Sequence, residues 1–228
     1  MGDLILAGGG DACDSMHADD LLRSLCIQNP TLLYIPVALD SSKISYEDAR
    51  AWIVSVFVPR GFEITMWADL PTTDDLGLDQ FGAVYIGGGN TFSLLKQIRE
   101  SRFGDLLRQL GSGTGVIYGG SAGAIIIGKD IRTCAHMDEN TVALSKFEGL
   151  DLLKGLSVWC HYDRDEDTRI EIYVRRNGTP VLAIPEKGAL HVSNSTLTAV
   201  GFDSSWIFTH GERIELKPGT VRNLGRCW

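Results

Sequence analysis

Residues 115–127 read Gly115-Val116-Ile117-Tyr118-Gly119-Gly120-Ser121-Ala122-Gly123-Ala124-Ile125-Ile126-Ile127. The first four are apolar and rich in β-formers, which predicts a β-strand. The next five fit the pattern G-x-S-x-G, in which a sharp strand-to-helix turn exposes the serine hydroxyl. The last four open a predicted helix. This stretch therefore predicts a strand–turn–helix unit of an α/β fold. Ser121 is either a nucleophile or a serine that only caps the helix.

The same alternation of apolar runs and amphipathic stretches continues along the chain. Before residue 150 it predicts strands at 4–7, 32–36, 62–66, 83–86 and 115–118, and helices at 18–26, 46–58, 92–98 and from 124. Beyond residue 150 it predicts a strand at 156–160, a helix at 167–176 and five short strands between 181 and 216. We expect one domain, residues 1–228, with a mostly parallel sheet flanked by helices and a C-terminal set of antiparallel strands.

The composition is that of a soluble globular chain and excludes several classes of protein. Of 228 residues, 44% are hydrophobic and 22% charged, values that exclude disorder and coiled coils. The chain has a net charge of −8, so we expect it to lack the basic face with which proteins bind nucleic acids. No apolar run reaches the roughly 18 residues needed to span a bilayer, and the N-terminus lacks the basic region of a signal peptide. We expect no membrane partner.

The cysteines are odd in number, widely scattered and without a CxxC pair. They are Cys13, Cys26, Cys134, Cys160 and Cys227. A disulfide framework or a zinc ribbon would need paired spacing, so we interpret them as free thiols of a cytoplasmic protein. Metal-ligand spacing is also missing among the histidines, and we expect neither a metal nor a cofactor.

A second glycine-rich turn follows the predicted strand at 83–86. It reads Gly87-Gly88-Gly89-Asn90-Thr91. Glycines at a strand end let the backbone approach a ligand and present N–H groups, one of which could form half of an oxyanion hole. The alternative is a tight turn in which Asn90 or Thr91 caps the next helix.

Together, the two turns carry a resemblance to a known family. The GGGNTF run at 87–92, the leucines at 94–95 and the GSAGA run at 120–124 occur in the order that peptidase E, an aspartyl dipeptidase, shows. The resemblance continues through 131–133, 161, 168–169, 185–186 and 206–208, and so covers most of the chain from about residue 30 to about residue 210. The chain thus resembles the serine peptidases that include peptidase E and cyanophycinase, which implies a glutamine-amidotransferase-like α/β fold.

The resemblance implies a role for several residues of this chain. Ser121 matches the nucleophile and His161 the general base, while the N–H groups of Gly88 and Ala122 match the oxyanion hole. Arg169 matches an arginine that binds the carboxylate of an N-terminal aspartate, a task that suits the guanidinium fork.

Two further features near these residues have open interpretations. Asn90 is a candidate substrate contact as well as a candidate cap. The acidic run at 163–167 is interpreted as a solvated helix start, since acidic residues suit that end of the helix dipole. The alternative role for Arg169 is a solvated charge beside this run.

The chain departs from the family at the third member of the triad. In aspartyl dipeptidase an aspartate lies fifteen residues after the serine, whereas this chain has His136 there. A histidine lacks the fixed negative charge that orients and stabilises an imidazolium. We place Glu186 ahead of Asp138 and Glu139 as the replacement acid, and His136 becomes a candidate substrate contact or neutral orienting group.

The favoured function is that of a cytoplasmic serine exopeptidase acting on small peptides with an N-terminal aspartate. Cyanophycinase-like cleavage of β-aspartyl peptides, an α/β-hydrolase-type esterase and a catalytically impaired peptide-binding relative remain alternatives. The last is motivated directly by His136. Oligomeric state is left open, with a homodimer as one option.

Overall fold

The structure, a computed structural model, describes residues 2–72 and 77–226, so Cys227 lies outside the described residues. Its strands are β1 (Asp3–Ala7), β2 (Thr31–Ile35), β3 (Glu63–Met66), β4 (Ala83–Ile86), β5 (Val116–Gly120), β6 (Ser157–Trp159), β7 (Val181–Ala183), β8 (Gly188–Ser193), β9 (Thr196–Gly201), β10 (Ser205–Thr209), β11 (Glu212–Leu216) and β12 (Val221–Asn223). Its α-helices are α1 (Met16–Leu25), α2 (Tyr46–Phe57), α3 (Thr91–Glu100), α4 (Phe103–Ser112), α5 (Ala122–Ile127) and α6 (Asp167–Asn177). The predicted α/β class is confirmed.

The larger sheet has eight strands in the order β12-β9-β8-β1-β5-β4-β2-β3. Strands β1 to β5 pair in parallel, whereas β8, β9 and β12 extend the sheet as antiparallel strands beyond β1. The central pair β1–β5 aligns Ala7 with Gly120. Both strands therefore end at the same edge, directly before the turn that carries Ser121.

The later strands divide between two sheets, a division that the sequence pattern did not indicate. A second sheet has the order β11-β10-β7-β6, with β6 and β7 parallel and the other pairs antiparallel. The helix α6 packs against this sheet through Ile170, Tyr173 and Val174. The second sheet matters for function because β6 leads to His161 and β7 leads to Glu186.

Alternate side chains of the central strand β1 serve two separate cores. Leu4 and Leu6 face the core that includes α3, α4 and α5, whereas Ile5 and Ala7 face the core that includes α1 and α2. This is the period-two alternation of a strand covered on both faces. Two layers of helices therefore fix the sheet edge at which the glycine turns lie. Within the described residues, the helices are all too short or too polar to cross a bilayer.

Candidate active site

Ser121 lies on the sharp turn between β5 and α5, as the G-x-S-x-G pattern predicts. Its backbone angles are φ 49° and ψ −110°, a conformation that L-residues seldom adopt and that costs of order 1–3 kcal/mol. The Ser121 N–H donates to the carbonyl oxygen of Ala7 at 3.0 Å, which ties the strained residue to the end of β1. Strain that is held by the surrounding structure in this way is typical of functional sites.

His161 lies in a loop two residues after β6, and it is also held by the end of β1. Its φ is 52°, and its N–H donates to the carbonyl oxygen of Gly8 at 2.9 Å. Successive carbonyl groups at Ala7 and Gly8 thus fix the backbones of Ser121 and His161. This explains how residues 40 positions apart meet at one point.

The side chains of Ser121, His161 and Glu186 form a continuous hydrogen-bonded relay. Ser121 Oγ lies 2.8 Å from His161 Nε2, and His161 Nδ1 lies 2.9 Å from Glu186 Oε1. Because a carboxylate accepts, Nδ1 carries the proton and donates it to Glu186. This leaves Nε2 unprotonated and able to accept the serine proton. The arrangement has the geometry that a histidine base needs in order to activate a serine.

The pairing of β6 with β7 positions the acid of this relay. Ile184 donates its N–H to the Trp159 carbonyl at 2.8 Å, and Tyr162 donates to the Ile184 carbonyl at 3.1 Å. These bonds hold the loop of His161 beside the loop of Glu186. The Glu186 side chain is 56% exposed, so solvent screens the interaction of its charge with His161. The hydrogen bond that orients the His161 ring is therefore the more important contribution of Glu186.

The structure does not bring the other two candidate acids to His161. Asp138 Oδ2 accepts the Thr91 N–H at 2.8 Å, at the first turn of α3. Asn90 caps the same helix, because its Oδ1 accepts the Ser93 N–H at 2.9 Å while its Nδ2 donates to the Glu139 carbonyl at 2.9 Å. Both ends of the Asn90 amide are therefore engaged within the protein. These residues join the 138–139 loop to the N-terminus of α3.

Two backbone N–H groups flank the serine at the positions suggested for an oxyanion hole. A Cβ built on Gly88 would lie 3.3 Å from Ser121 Cβ, so this glycine backbone is in contact range of the nucleophile. Ala122 opens α5, where the first N–H groups have no partner within the helix. Within residues 2–72 and 77–226, neither N–H donates to a protein acceptor. Both can bind a developing negative charge.

Gly9 makes room for the imidazole, a contact that sequence reasoning missed. Its φ is 127°, and a Cβ at this position would lie 2.2 Å from His161 Cε1. No side chain fits there without moving the ring. The signal in the sequence was the triple glycine at the end of the first predicted strand, which by itself indicates only a close backbone approach.

We expect Gly9→Ala to lower kcat/KM by about 10²-fold, since a displacement of the reacting group by about 1 Å is enough to cause such a loss. The measurement is the rate of peptide hydrolysis together with a thermal unfolding curve. Gly211→Ala is the matched control, because Gly211 also has a positive φ (89°) but has no atom within 4 Å of a built Cβ. Equal losses of activity in the two variants would show that strain, and not the His161 contact, causes the effect.

His136 and Arg169 meet at Glu166, which is mostly buried rather than solvated as the sequence suggested. Glu166 Oε1 lies 2.9 Å from His136 Nε2 and 3.4 Å from Arg169 Nη1, and Oε2 accepts the Trp159 indole N–H at 3.0 Å. The His136 ring also stacks on Trp159, with centroids 4.3 Å apart. Burial lowers the pKa of His136, and the Glu166 carboxylate opposes that shift.

A cavity of about 280 Å³ opens beside Ser121 and His161. Its walls are backbone from three glycine turns together with aromatic side chains from the sheet and α2. The aromatic residues are Tyr34, Trp52, Tyr85 and Tyr118. Neither Arg169 nor His136 lines it. Sequence reasoning missed these aromatic residues as part of a site, because their apolar periodicity indicates only a buried face.

The sequence model of Peptidase family S51 matches residues 4–200. This chain belongs to peptidase family S51. It is a serine-type peptidase, and the resemblance noted from the two glycine turns is confirmed. The S51 assignment sets aside the α/β-hydrolase-type esterase.

Relatives of this S51 peptidase align over most of their length. The "Probable alpha-aspartyl dipeptidase" of Drosophila melanogaster is 28% identical over 212 residues, covering 88% of this chain and 84% of the relative. Peptidase E of Shewanella sp. (strain W3-18-1) is 28% identical over 218 residues, covering 91% of this chain and 89% of the relative. The crystal structure of a peptidase from an acI-B1 actinobacterium shares the fold at a TM-score of 0.73 and 18% identity, covering 98% of this chain and 97% of the other.

Proposed function

We propose that this S51 peptidase hydrolyses dipeptides or short peptides that begin with aspartate, using Ser121 as nucleophile. The observation that carries the proposal is the relay from Ser121 through His161 to Glu186, with distances of 2.8 Å and 2.9 Å. The relay starts at a strained serine beside two N–H groups without protein acceptors. The aspartyl specificity is supported by the description of the Drosophila relative as an alpha-aspartyl dipeptidase.

The geometry supports an acyl-transfer mechanism with one base. His161 Nε2 takes the proton of Ser121 as Oγ attacks the scissile carbonyl carbon. The carbonyl oxygen becomes an oxyanion, which the N–H groups of Gly88 and Ala122 stabilise. The tetrahedral intermediate collapses as His161 gives its proton to the leaving amine. Water then attacks the acyl-enzyme with His161 again as base and releases the acid, while Glu186 stabilises the imidazolium throughout.

Arg169 is proposed to bind the aspartate side chain of the substrate. Its side chain is 59% exposed, and its contact with Glu166 is long at 3.4 Å. Most of its five N–H donors therefore face solvent and can pair with a carboxylate. The acyl residue would then extend from Ser121 toward the surface formed by α6, outside the aromatic cavity.

We expect the wild-type enzyme to cleave Asp-Leu in preference to Ala-Leu and Leu-Leu. In Arg169→Gln, kcat/KM for Asp-Leu should fall by roughly 10- to 100-fold, as the loss of hydrogen bonds to a charged group implies, while slow cleavage of Ala-Leu stays unchanged. Arg175→Gln, an exposed charge later on α6, is the matched control and should keep the preference.

Two outcomes would contradict the proposal. Equal cleavage of Asp-Leu and Leu-Leu by the wild-type protein would rule out the acidic specificity. A folded wild-type protein that cleaves none of the three dipeptides would rule out the dipeptidase function itself. Unchanged selectivity in Arg169→Gln would reject only the role of Arg169.

A further inference from the structure

The cavity beside Ser121 is lined by Ser121, His161 and Gly88 of the proposed mechanism, but that mechanism gives its aromatic side chains no role. Trp52 lies at its rim with the ring centroids of Tyr85 and Tyr34 at 6.0 Å and 6.3 Å, and Tyr34 and Tyr85 are 5.6 Å apart. The three rings are in tilted or edge-to-face contact with one another, and each also lines the cavity. Tyr118 forms the floor and stacks on Tyr85 at 4.4 Å.

Apart from His161 and the tyrosine phenols, the cavity wall has no titratable side chain. Of the described residues that line it, none is an arginine, a lysine or a carboxylate. Burial raises the pKa of Tyr34 to about 12, so this phenol stays neutral. An uncharged aromatic wall favours an apolar occupant, which gains both buried area and ring–ring contact.

A buried carboxylate behind the floor disfavours an acidic occupant. Asp19 accepts hydrogen bonds from Tyr118 Oη at 2.9 Å and from Ser15 Oγ at 3.1 Å, and both donors line the cavity. Burial raises the pKa of Asp19 to about 6, while the hydrogen bond from Tyr118 and the charge of Arg60 oppose that shift. The aspartate side chain of a substrate would be repelled here, which agrees with its placement at Arg169.

The position of His161 indicates which part of the substrate the cavity receives. His161 lines the cavity and must reach the leaving amine to protonate it. The acyl residue, an aspartate in the proposed function, finds no cation in this wall. The residue that departs with the amine is therefore the part of the substrate that fits beside His161.

We propose that the cavity formed by Tyr34, Trp52 and Tyr85 is the subsite for the side chain of the leaving residue, and that it selects a bulky uncharged side chain, phenylalanine before leucine and leucine before alanine. This inference rests on the proposed function. The volume of about 280 Å³ lies just below the roughly 300–1,000 Å³ typical of ligand pockets, and so suits one side chain.

The test compares Asp-Phe, Asp-Leu, Asp-Ala and Asp-Lys as substrates. We expect the wild-type enzyme to prefer Asp-Phe to Asp-Ala by at least about 10-fold in kcat/KM, the scale on which an apolar pocket discriminates. Trp52→Ala should remove most of that preference by lowering kcat/KM for Asp-Phe far more than for Asp-Ala, whereas Trp52→Phe should retain much of it. Val58→Ala, at the exposed end of the same helix, is the matched control and should behave as wild type.

A second measurement separates failure of the subsite from failure of the proposed function. Binding of the free amino acids phenylalanine and alanine, the leaving products, is measured by calorimetry with Ser121→Ala and with Ser121→Ala carrying Trp52→Ala. Tighter binding of phenylalanine that depends on Trp52 would support the subsite even if no aspartyl dipeptide were cleaved. Equal use of Asp-Phe and Asp-Ala, a preference for Asp-Lys, or equal binding of the two amino acids would overturn it.

Discussion

Ser121→Ala is expected to lower kcat for Asp-Leu by on the order of 10⁶-fold, because the variant has no oxygen to attack the scissile carbonyl. His161 and Glu186 then have no nucleophile to activate, since the three groups act as one unit. Any residual rate would come from binding and from the Gly88 and Ala122 N–H groups alone. The measurement is the initial rate of Asp-Leu cleavage at saturating substrate.

The same variant should keep its fold. The Ser121 side chain makes no helix-capping hydrogen bond, so its removal costs the structure little. Thermal unfolding of Ser121→Ala should therefore stay within a few degrees of wild type. Ser204→Ala, which removes a serine bonded to Glu215 on the other sheet, is the control and should retain full activity. A Ser121→Ala enzyme with more than a small fraction of wild-type kcat would exclude this serine as nucleophile.

Glu186→Gln should lower kcat by roughly 10²–10⁴-fold, whereas Asp138→Asn should leave kcat within a few-fold of wild type. The glutamine amide has no charge with which to stabilise the His161 imidazolium, and it can hold the ring in the wrong tautomer. Asp138 instead accepts the Thr91 N–H at the start of α3, so its replacement should cost about 1 kcal/mol of unfolding free energy. Steady-state kinetics and urea unfolding of both variants measure these two effects.

The two carboxylates form a matched pair because each neutral amide preserves the shape of the side chain. If Asp138→Asn lowered kcat strongly while Glu186→Gln kept kcat near the wild-type value, Glu186 would be excluded as the acid of the relay. Equal and small effects would show that His161 works without a carboxylate partner.

The local sequence pattern was sufficient to predict most strands of the parallel part of the larger sheet. Strands β1, β2, β4 and β5 are short apolar runs that end in glycine or proline, and the structure places each within about two residues of its predicted bounds. The helix α4 (Phe103–Ser112) was not predicted. It contains Gly104 and Gly111, which lower helix propensity, and tertiary packing of Phe103 and Leu107 stabilises it.

The division into two sheets could not be predicted from local pattern. Strand periodicity indicates which residues face a core, but it does not indicate the partner strand. The pairing of β7 with β6, rather than with β8 across the following turn, is decided by packing between distant segments. The strand β12, at the far edge of the larger sheet, has only three residues and gave no clear signal.

The candidate site shows the same limit. The motif and the family resemblance were enough to select Ser121 and His161 as candidate catalytic residues. The structure brings their side chains together. The sequence ranked Glu186 ahead of Asp138 and Glu139 but could not place any of them beside His161, because the contact of Glu186 with His161 depends on the β6–β7 pairing. The aromatic wall was missed because Trp52 reaches the site only through the packing of α2 on the sheet.

The most direct test of the Ser121 relay is covalent labelling with a small serine-directed phosphonylating reagent, followed by peptide mass spectrometry. We expect one adduct per chain, on the peptide that contains Ser121, formed in parallel with the loss of Asp-Leu hydrolysis. The adduct should be missing in Ser121→Ala. An adduct on another residue, or full inactivation without any mass change at Ser121, would contradict a mechanism in which this serine attacks the substrate.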